Sequence, residues 1–314
     1  MSRKIVICLV LSFVIAVTWL SFNIDKVQQN YKRMPSAVDE IWSVDEIQDF
    51  YYDNEQDWLD PGFQRFLRRR WIVGPSKCKA KLRRGDVSQM KQSTFVDGLL
   101  NQRRRGFFVE SGAAEGVQLS NSLFFETERD WSGLLIEPNP SFFRSLMSKK
   151  RNAYLVNACL STNENVSEVL FKPAGYVGGI ADKMEATLLS FVNKAHKHLC
   201  DLRLTCFPLV ALLDALGVRH VDYLSLDVEG PELDILRTIP FGRVTIDVVT
   251  VEYRVSDMKT INEEASERKL LLIREFFAGL RSFREAGILP WDVNQENVVN
   301  ERRGLDVVFQ RIVQ

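Results

Sequence analysis

The chain carries no surplus of charge of either sign. Lys plus Arg and Asp plus Glu each number 41 over 314 residues, so the formal net charge is zero. Without a global basic field, nothing draws the protein onto nucleic acid, and that class of partner is set aside. Histidine is scarce, at 3 residues. His196, His198 and His220 have no acids at helical spacing, and no Cys-x-x-Cys or Cys/His set has zinc spacing, so no metal site is expected. There is no Gly-x-x-x-x-Gly-Lys-Ser/Thr phosphate loop, no Gly-x-Gly-x-x-Gly turn and no nucleophile elbow. Those gaps argue against a pyrophosphate cofactor and against triad hydrolysis.

Charge is also missing from the stretch "IVICLVLSFVIAVTWLSF". This run at 5–22 holds about 18 apolar residues, near the minimum that crosses a bilayer. It follows a short tail, 1–4, bearing Arg3 and Lys4, and its far end, "TWLSF", is too bulky for signal cleavage. The reading is an uncleaved signal anchor, with Trp19 at the interface, a cytoplasmic N-terminus and a body outside the cytosol. That describes a type II single-pass protein of an endoplasmic reticulum, Golgi or endosomal membrane. Cysteine usage agrees, because four remain beyond Cys8: Cys78, Cys159, Cys200 and Cys206, which permit three pairings. Asn165-Val166-Ser167 is an N-glycan acceptor triplet if that loop faces the secretory lumen.

An acidic, aromatic stem spans 23–60 and a basic lead-in spans 61–94, with "LRRRW" inside it. That run, and "QRRRG" at 102–106, suit phosphates or anionic lipid head groups, or else a solvated basic face. From residue 95 to 314 the punctuation changes to strand, glycine, helix, repeated. "GFFVES" reads as a buried parallel strand, followed by a helix over 118–129. "GLLIEP" is a second strand, "AYLVNACLS" a third, and "VDYLSLDVEG" and "TIDVVTVEY" two more. A long helix is expected to run from beyond Asn262 to Gly287, then a last strand over 305–312. The insertion 162–205, with its glycine loop "YVGGIADK", reads as a lid or substrate wall. The fold class is α/β, one mostly parallel sheet with an antiparallel last strand.

The turn in "FFVESGAAEGVQLSNSLFFE" follows the first strand. In doubly wound sheets ligands lie at that point, and glycine lets the backbone approach them. Gly112 and Gly116 are so placed, although a tight strand-helix packing turn would demand the same residues. Glu137 ends the second strand about 20 residues on, the position from which a carboxylate accepts ribose hydroxyls. A nucleoside-bearing cofactor smaller than a dinucleotide follows.

"GFFVESGAAEGVQLSNSLFFE", "GLLIEPNP", "NACLS" and above all "YLSLDVEGPELDIL" resemble the FkbM-type methyltransferase domain. The resemblance covers about 95–309 and implies a class I, Rossmann-like fold using S-adenosyl-L-methionine, usually for O-methylation. It places Glu110, Gly112, Ala114 and Gly116 around the cofactor's methionine and ribose, Glu137 on the ribose and Asn157 near adenine. Asp227 would face the methyl acceptor, and Glu229 would orient or deprotonate its hydroxyl; the alternative is that Glu229 only tightens the helix start. Two departures stand out: Glu110 replaces the frequent Asp, and Ala113-Ala114 replaces a glycine-rich run. The anchor, stem and "DYLSLDVEGPEL" followed by "VTVEY" are similar to a Star-like, membrane-anchored subgroup. That likeness implies export of membrane-tethered growth-factor precursors from the endoplasmic reticulum. Two functions are therefore expected: an O-methyltransferase acting on a glycan or other hydroxyl-bearing secretory substrate, or a non-catalytic cargo protein that keeps the fold.

Overall fold

A computed structural model describes residues 60–77, 81–256, 260–290 and 304–312. The expected anchor, 5–22, and all of the stem but Asp60 lie outside them. Among the described residues no helix is long and apolar enough to cross a membrane. Asp60 accepts the Phe63 amide at 2.8 Å, and Pro61 fills the first turn of α1 (Pro61–Arg70), where a missing N–H costs no hydrogen bond. Phe63 and Leu67 are buried, while Arg68, Arg69 and Arg70 lie in the last turn, favourable to the carbonyl end of the dipole. Trp71 then packs edge-on against Phe207, 4.8 Å between centroids, and β1 (Ile72–Val73) follows. The lead-in is thus built into the same body as the sheet.

After α2 (Gln92–Leu99) come β2 (Phe107–Ser111), α3 (Leu123–Arg129), β3 (Ser132–Ile136), α4 (Pro140–Ser148) and β4 (Tyr154–Val156). The next segment holds β5 (Cys159–Leu160), β6 (Ser167–Lys172), β7 (Gly179–Ile180), α5 (Ala186–Ala195), β8 (Leu202–Phe207) and α6 (Leu209–Leu216). The chain closes with β9 (His220–Leu226), α7 (Glu232–Thr238), β10 (Thr245–Glu252), α8 (Glu263–Leu280), β11 (Phe283–Pro290) and β12 (Gly304–Arg311).

The main sheet runs β1-β4-β3-β2-β9-β10-β12-β11. Its centre, from β4 to β10, is parallel, and β12 enters antiparallel between β10 and β11. The expected antiparallel last strand is present. The chain winds outward from β2 to β4, then resumes on the other side of β2 at β9, so the switch point lies between β2 and β9. Phe108, Phe125, Trp131 and Tyr223 fill the core beside it, with Phe125 stacked 4.5 Å from Trp131.

Four expectations need correction. The sheet is not single, because β5-β8-β6-β7 form a second one, built from the insertion and the strand residues that flank it. The third strand breaks at Asn157, whose Nδ2 donates to the Glu137 and Pro138 carbonyls at 2.8 and 3.0 Å; beyond the break, β5 joins β8 instead. The first helix begins at Leu123 rather than residue 118, because 120–122 are drawn into hydrogen bonds with Glu110. The last helix ends at Leu280, with Arg281 left-handed (φ 55°), and Gly287 sits at an irregularity inside β11.

The four cysteines are not fully paired: Cys200 is a free, exposed thiol, Cys78 lies outside the described residues, and Cys159 is bonded to Cys206, directly opposite it in the β5–β8 ladder and 47 residues away in sequence. Closing such a loop stabilises the fold by about 4 kcal/mol in the chain-entropy model. Converting Cys159 and Cys206 to alanine should therefore lower the thermal midpoint by several degrees, matching the loss that a reductant causes in the unmodified chain. Calorimetry with and without reductant checks this; an unchanged midpoint in both would mean the bond is not formed.

Candidate functional site

Strand register assembles the site. Ser111 pairs with Ile136 on one side and Leu226 on the other, and Leu226 pairs with Val251. The next residue of each strand therefore stands in one row along the carboxyl edge: Glu137, Gly112, Asp227 and Glu252. Gly112 adopts φ +87°, and a β-carbon there would lie 1.8 Å from the Asp227 carbonyl oxygen. Its bareness is thus used up by close approach of β9. A β-carbon on Gly116, at φ +77°, would meet Leu146 Cδ1 at 2.2 Å. Gly116 packs against α4 and does not line the cavity described below.

Glu137 is 4% exposed and spans the turn as its spacing suggested. One oxygen accepts the Ala114 amide and the other the Asn139 amide, both at 2.7 Å. Ala114 takes φ +48° to present that amide. Burial pushes the Glu137 carboxyl up to about 7 despite the two N–H bonds, which favour its charge. Glu110 is buried too, but its oxygens are committed: Oε1 accepts the Asn121 amide at 2.7 Å, and Oε2 accepts both the Ser120 hydroxyl, at 2.9 Å, and the Ser122 hydroxyl. Arg151, 1% exposed, braces the same loop through the Gly116 carbonyl, the Ser120 and Ser122 hydroxyls and Glu126. Asn157 holds the turn after β3 and also lies outside the cavity lining.

Asn121 was not singled out by sequence. It is 5% exposed, its Nδ2 donates to Ser225 Oγ at 3.0 Å, and its Oδ1 has no partner although it lies in the cavity wall. The signal was there in "QLSNS", a polar run where a buried amphipathic helix should show apolar spacing.

Beyond Asp227 the chain turns sharply. Glu229 is left-handed at φ +62°, an uncommon state for a residue with a side chain. The helix-tightening role belongs to Glu232, whose Oε1 accepts the Val228 and Gly230 amides at 3.1 and 3.2 Å while Oε2 meets Lys269 Nζ at 2.6 Å. Glu229 is free of that task. Asp227, Glu229 and Glu252 bring carboxylate oxygens within 4.8 Å of one another. Burial first, and neighbouring carboxylates second, push all three up, Asp227 to about 6. Glu252 escaped notice because it closes an apolar run, where a single acid reads as a strand end.

These groups face one cavity of about 330 Å³. Glu110, Gly112, Ala114, Asn121 and Glu137 line one part, and Asp227, Glu229 and Glu252 another. The insertion supplies an apolar wall with Phe171, Tyr176, Val177, Ile180 and Leu188. His220 stands at the opposite, amino end of β9, its Nε2 3.0 Å from Asp247.

A model of the methyltransferase FkbM domain matches residues 110–287. Several solved structures also match the chain at low identity. A TehB-like S-adenosylmethionine-dependent enzyme of Corynebacterium glutamicum is 9% identical over 73% of this chain and 90% of its own, with a TM-score of 0.37. The human methyltransferase 10 domain containing protein is 9% identical over 82% and 99%, at 0.36. The plantazolicin methyltransferase BpumL, solved with S-adenosylhomocysteine, is 7% identical over 72% and 83%, at 0.36. No curated protein matches the chain.

Glu137 yields a pH prediction. Its folded value, about 7, exceeds the ordinary 4.5, so the folded state holds the proton longer and loses stability as pH rises between those values. Up to about 3 kcal/mol is at stake. Urea unfolding from pH 4.5 to 8 should show wild type losing that increment relative to Glu137→Gln. A gap between the two that stays flat across the range would show that burial does not govern this carboxyl.

Proposed function

The chain belongs to the FkbM methyltransferase domain family, and on that premise we propose that it moves a methyl group from S-adenosylmethionine to a hydroxyl oxygen. The observation that carries this is Asn121, which lines the same cavity as Glu137 at the switch point and whose Oδ1 is a buried acceptor without a donor. When bound, S-adenosylmethionine supplies an electrophilic methyl carbon on a sulfonium sulfur. Glu137 would accept the ribose hydroxyls with lone pairs that the Ala114 and Asn139 amides leave free, and Asn121 Oδ1 suits the α-ammonium. Gly112 and Ala114 form the backbone floor. Glu110, Gly116 and Asn157 act as positioning residues, the first by fixing Asn121 and the last by fixing the Glu137 turn. Asp227 and Glu229 face the acceptor end. One of them takes the hydroxyl proton as the acceptor oxygen bonds to the methyl carbon and the old carbon–sulfur pair stays on sulfur. The apolar wall favours a hydroxyl on a ring or other partly apolar framework, which includes a glycan.

We also propose that the body lies in the secretory lumen, held by the apolar 5–22 run as a type II anchor. The Cys159–Cys206 bond and the exposure of Asn165 just before β6 support this side. The same bond favours the second reading, a Star-like cargo protein, since a lumenal site depends on cofactor brought across the membrane against its fixed charge.

Titration calorimetry of the full-length chain with S-adenosylmethionine should show saturable binding. Glu137→Gln should weaken it roughly 10- to 100-fold and Asn121→Ala up to about 10-fold, the worth of a charged and a neutral hydrogen bond. A wild-type chain that takes up no cofactor leaves only the cargo reading. For sidedness, an endoglycosidase should shift the wild-type band and leave Asn165→Gln unmoved. An unmodified Asn165 together with reduced Cys159 and Cys206 in cells would place the body in the cytosol.

A further inference from the structure

The carboxyl edge holds more carboxyl groups than methyl transfer needs. Glu252 and Asp306 are Cα partners across the β10–β12 ladder, so their side chains leave the sheet side by side, an arrangement that like charges oppose. They are 8% and 2% exposed. Each keeps one buried oxygen with no partner: Glu252 Oε2, in the cavity wall, and Asp306 Oδ1, whose other oxygen accepts Gln92 Nε2 at 3.0 Å. Counting Asp227, Glu229 and Glu232, five carboxylates gather here. Lys269 is the ammonium set against them, and its Nζ is committed to Glu232 Oε2 at 2.6 Å. An orphaned, buried carboxylate oxygen is costly unless a proton or a cation meets it.

We infer that Asp227, Glu229 and Glu252 form a site for one hard divalent cation, Mg²⁺ or Mn²⁺, at the acceptor end of the cavity. Oxygen ligands sit about 2.0–2.2 Å from such ions, so two oxygens on one ion are separated by at most roughly 4–4.5 Å, or somewhat more for a larger ion. Three oxygens sharing one ion lie about 3–3.6 Å apart, so the three carboxylates, with oxygens mutually within 4.8 Å, would draw in around it. Asp227 and Glu252 are held by adjacent strand ends, and Glu229 reaches them because its left-handed backbone folds the turn back. An all-carboxylate set selects hard ions over zinc. Three protein ligands leave positions for water or for acceptor oxygens. Resting on the methyl-transfer reading, this names the substrate class as an acceptor with two neighbouring oxygens, such as a vicinal diol. Binding both to the cation would lower the barrier to losing the hydroxyl proton.

The test uses the full-length chain, stripped of metal, with Mn²⁺ or Mg²⁺ alone and no S-adenosylmethionine. Mn²⁺ should bind at one ion per chain by electron paramagnetic resonance, Mg²⁺ should compete, and either should raise the thermal midpoint by several degrees. Glu252→Gln should cut Mn²⁺ affinity at least tenfold and abolish the thermal shift. Without cation the same variant should melt no lower than wild type, because a neutral amide relieves the crowding. If that variant does not fold, Asp227→Asn takes its place with the same expectations. No saturable Mn²⁺ or Mg²⁺ binding, or equal binding by wild type and variant, overturns the inference. A chain that takes S-adenosylmethionine but no cation loses only this site; one that takes the cation but no S-adenosylmethionine loses only the methyl-transfer reading.

Discussion

Strands β2 and β9 run so close at their carboxyl ends that the Asp227 carbonyl leaves no room for a β-carbon on residue 112. That contact sets the register in which Ser111, Ile136, Leu226 and Val251 lie level, and so decides which residues emerge first from the sheet. Two carboxylates reach the cavity from one side of the row and one from the other. Any larger residue at 112 would push β9 away and separate Glu137 from Asp227. The position of the site is therefore a consequence of sheet packing, and the side chains add chemistry to a place that backbone sterics has already defined.

The acidic edge illustrates how function and stability pull apart. Asp227, Glu229 and Glu252 are all pushed toward protonation by burial and by neighbouring carboxylates, Glu232 among them, with Lys269 offsetting only part of the crowding. A core built for stability alone would hold apolar side chains there. Glu110 is the contrast: buried more deeply, it accepts three hydrogen bonds and organises the loop that presents Asn121. Burial by itself thus says little about role. What distinguishes the two groups is whether their lone pairs are already in use.

The parallel strands were legible because buried strands read as continuous apolar runs, and Glu137 because its distance from the turn follows from one strand-helix-strand unit. At Gly112 and Gly116 protein atoms fill the space that each glycine leaves, as the packing-turn alternative demands, although Gly112 also lines the cavity. The helix expected over 118–129 hid Asn121, because a tertiary bond from Glu110 overrides local propensity. Nothing in "AYLVNACLS" announces that Asn157 divides it between two sheets, since the cause is a hydrogen bond to carbonyls 19 and 20 residues away in sequence. Gly287 resembled a helix stop, yet Arg281 already ends α8. Glu252 and Asp306 became meaningful only as ladder partners, and pairing between distant strands is not written in either strand alone.

The edge strand β1 is continuous with the N-terminal segment through α1, and it holds the sheet by only two residue pairs, Ile72 with Val156 and Val73 with Leu155. A pull on the N-terminal segment therefore reaches α1 and this short ladder before it reaches the parallel strands. Phe63, Leu67 and Trp71 act as a mechanical fuse: they would unseat first, sparing the row of strand ends that shapes the cavity. A body tethered from that side could be tugged or tilted without its pocket being deformed.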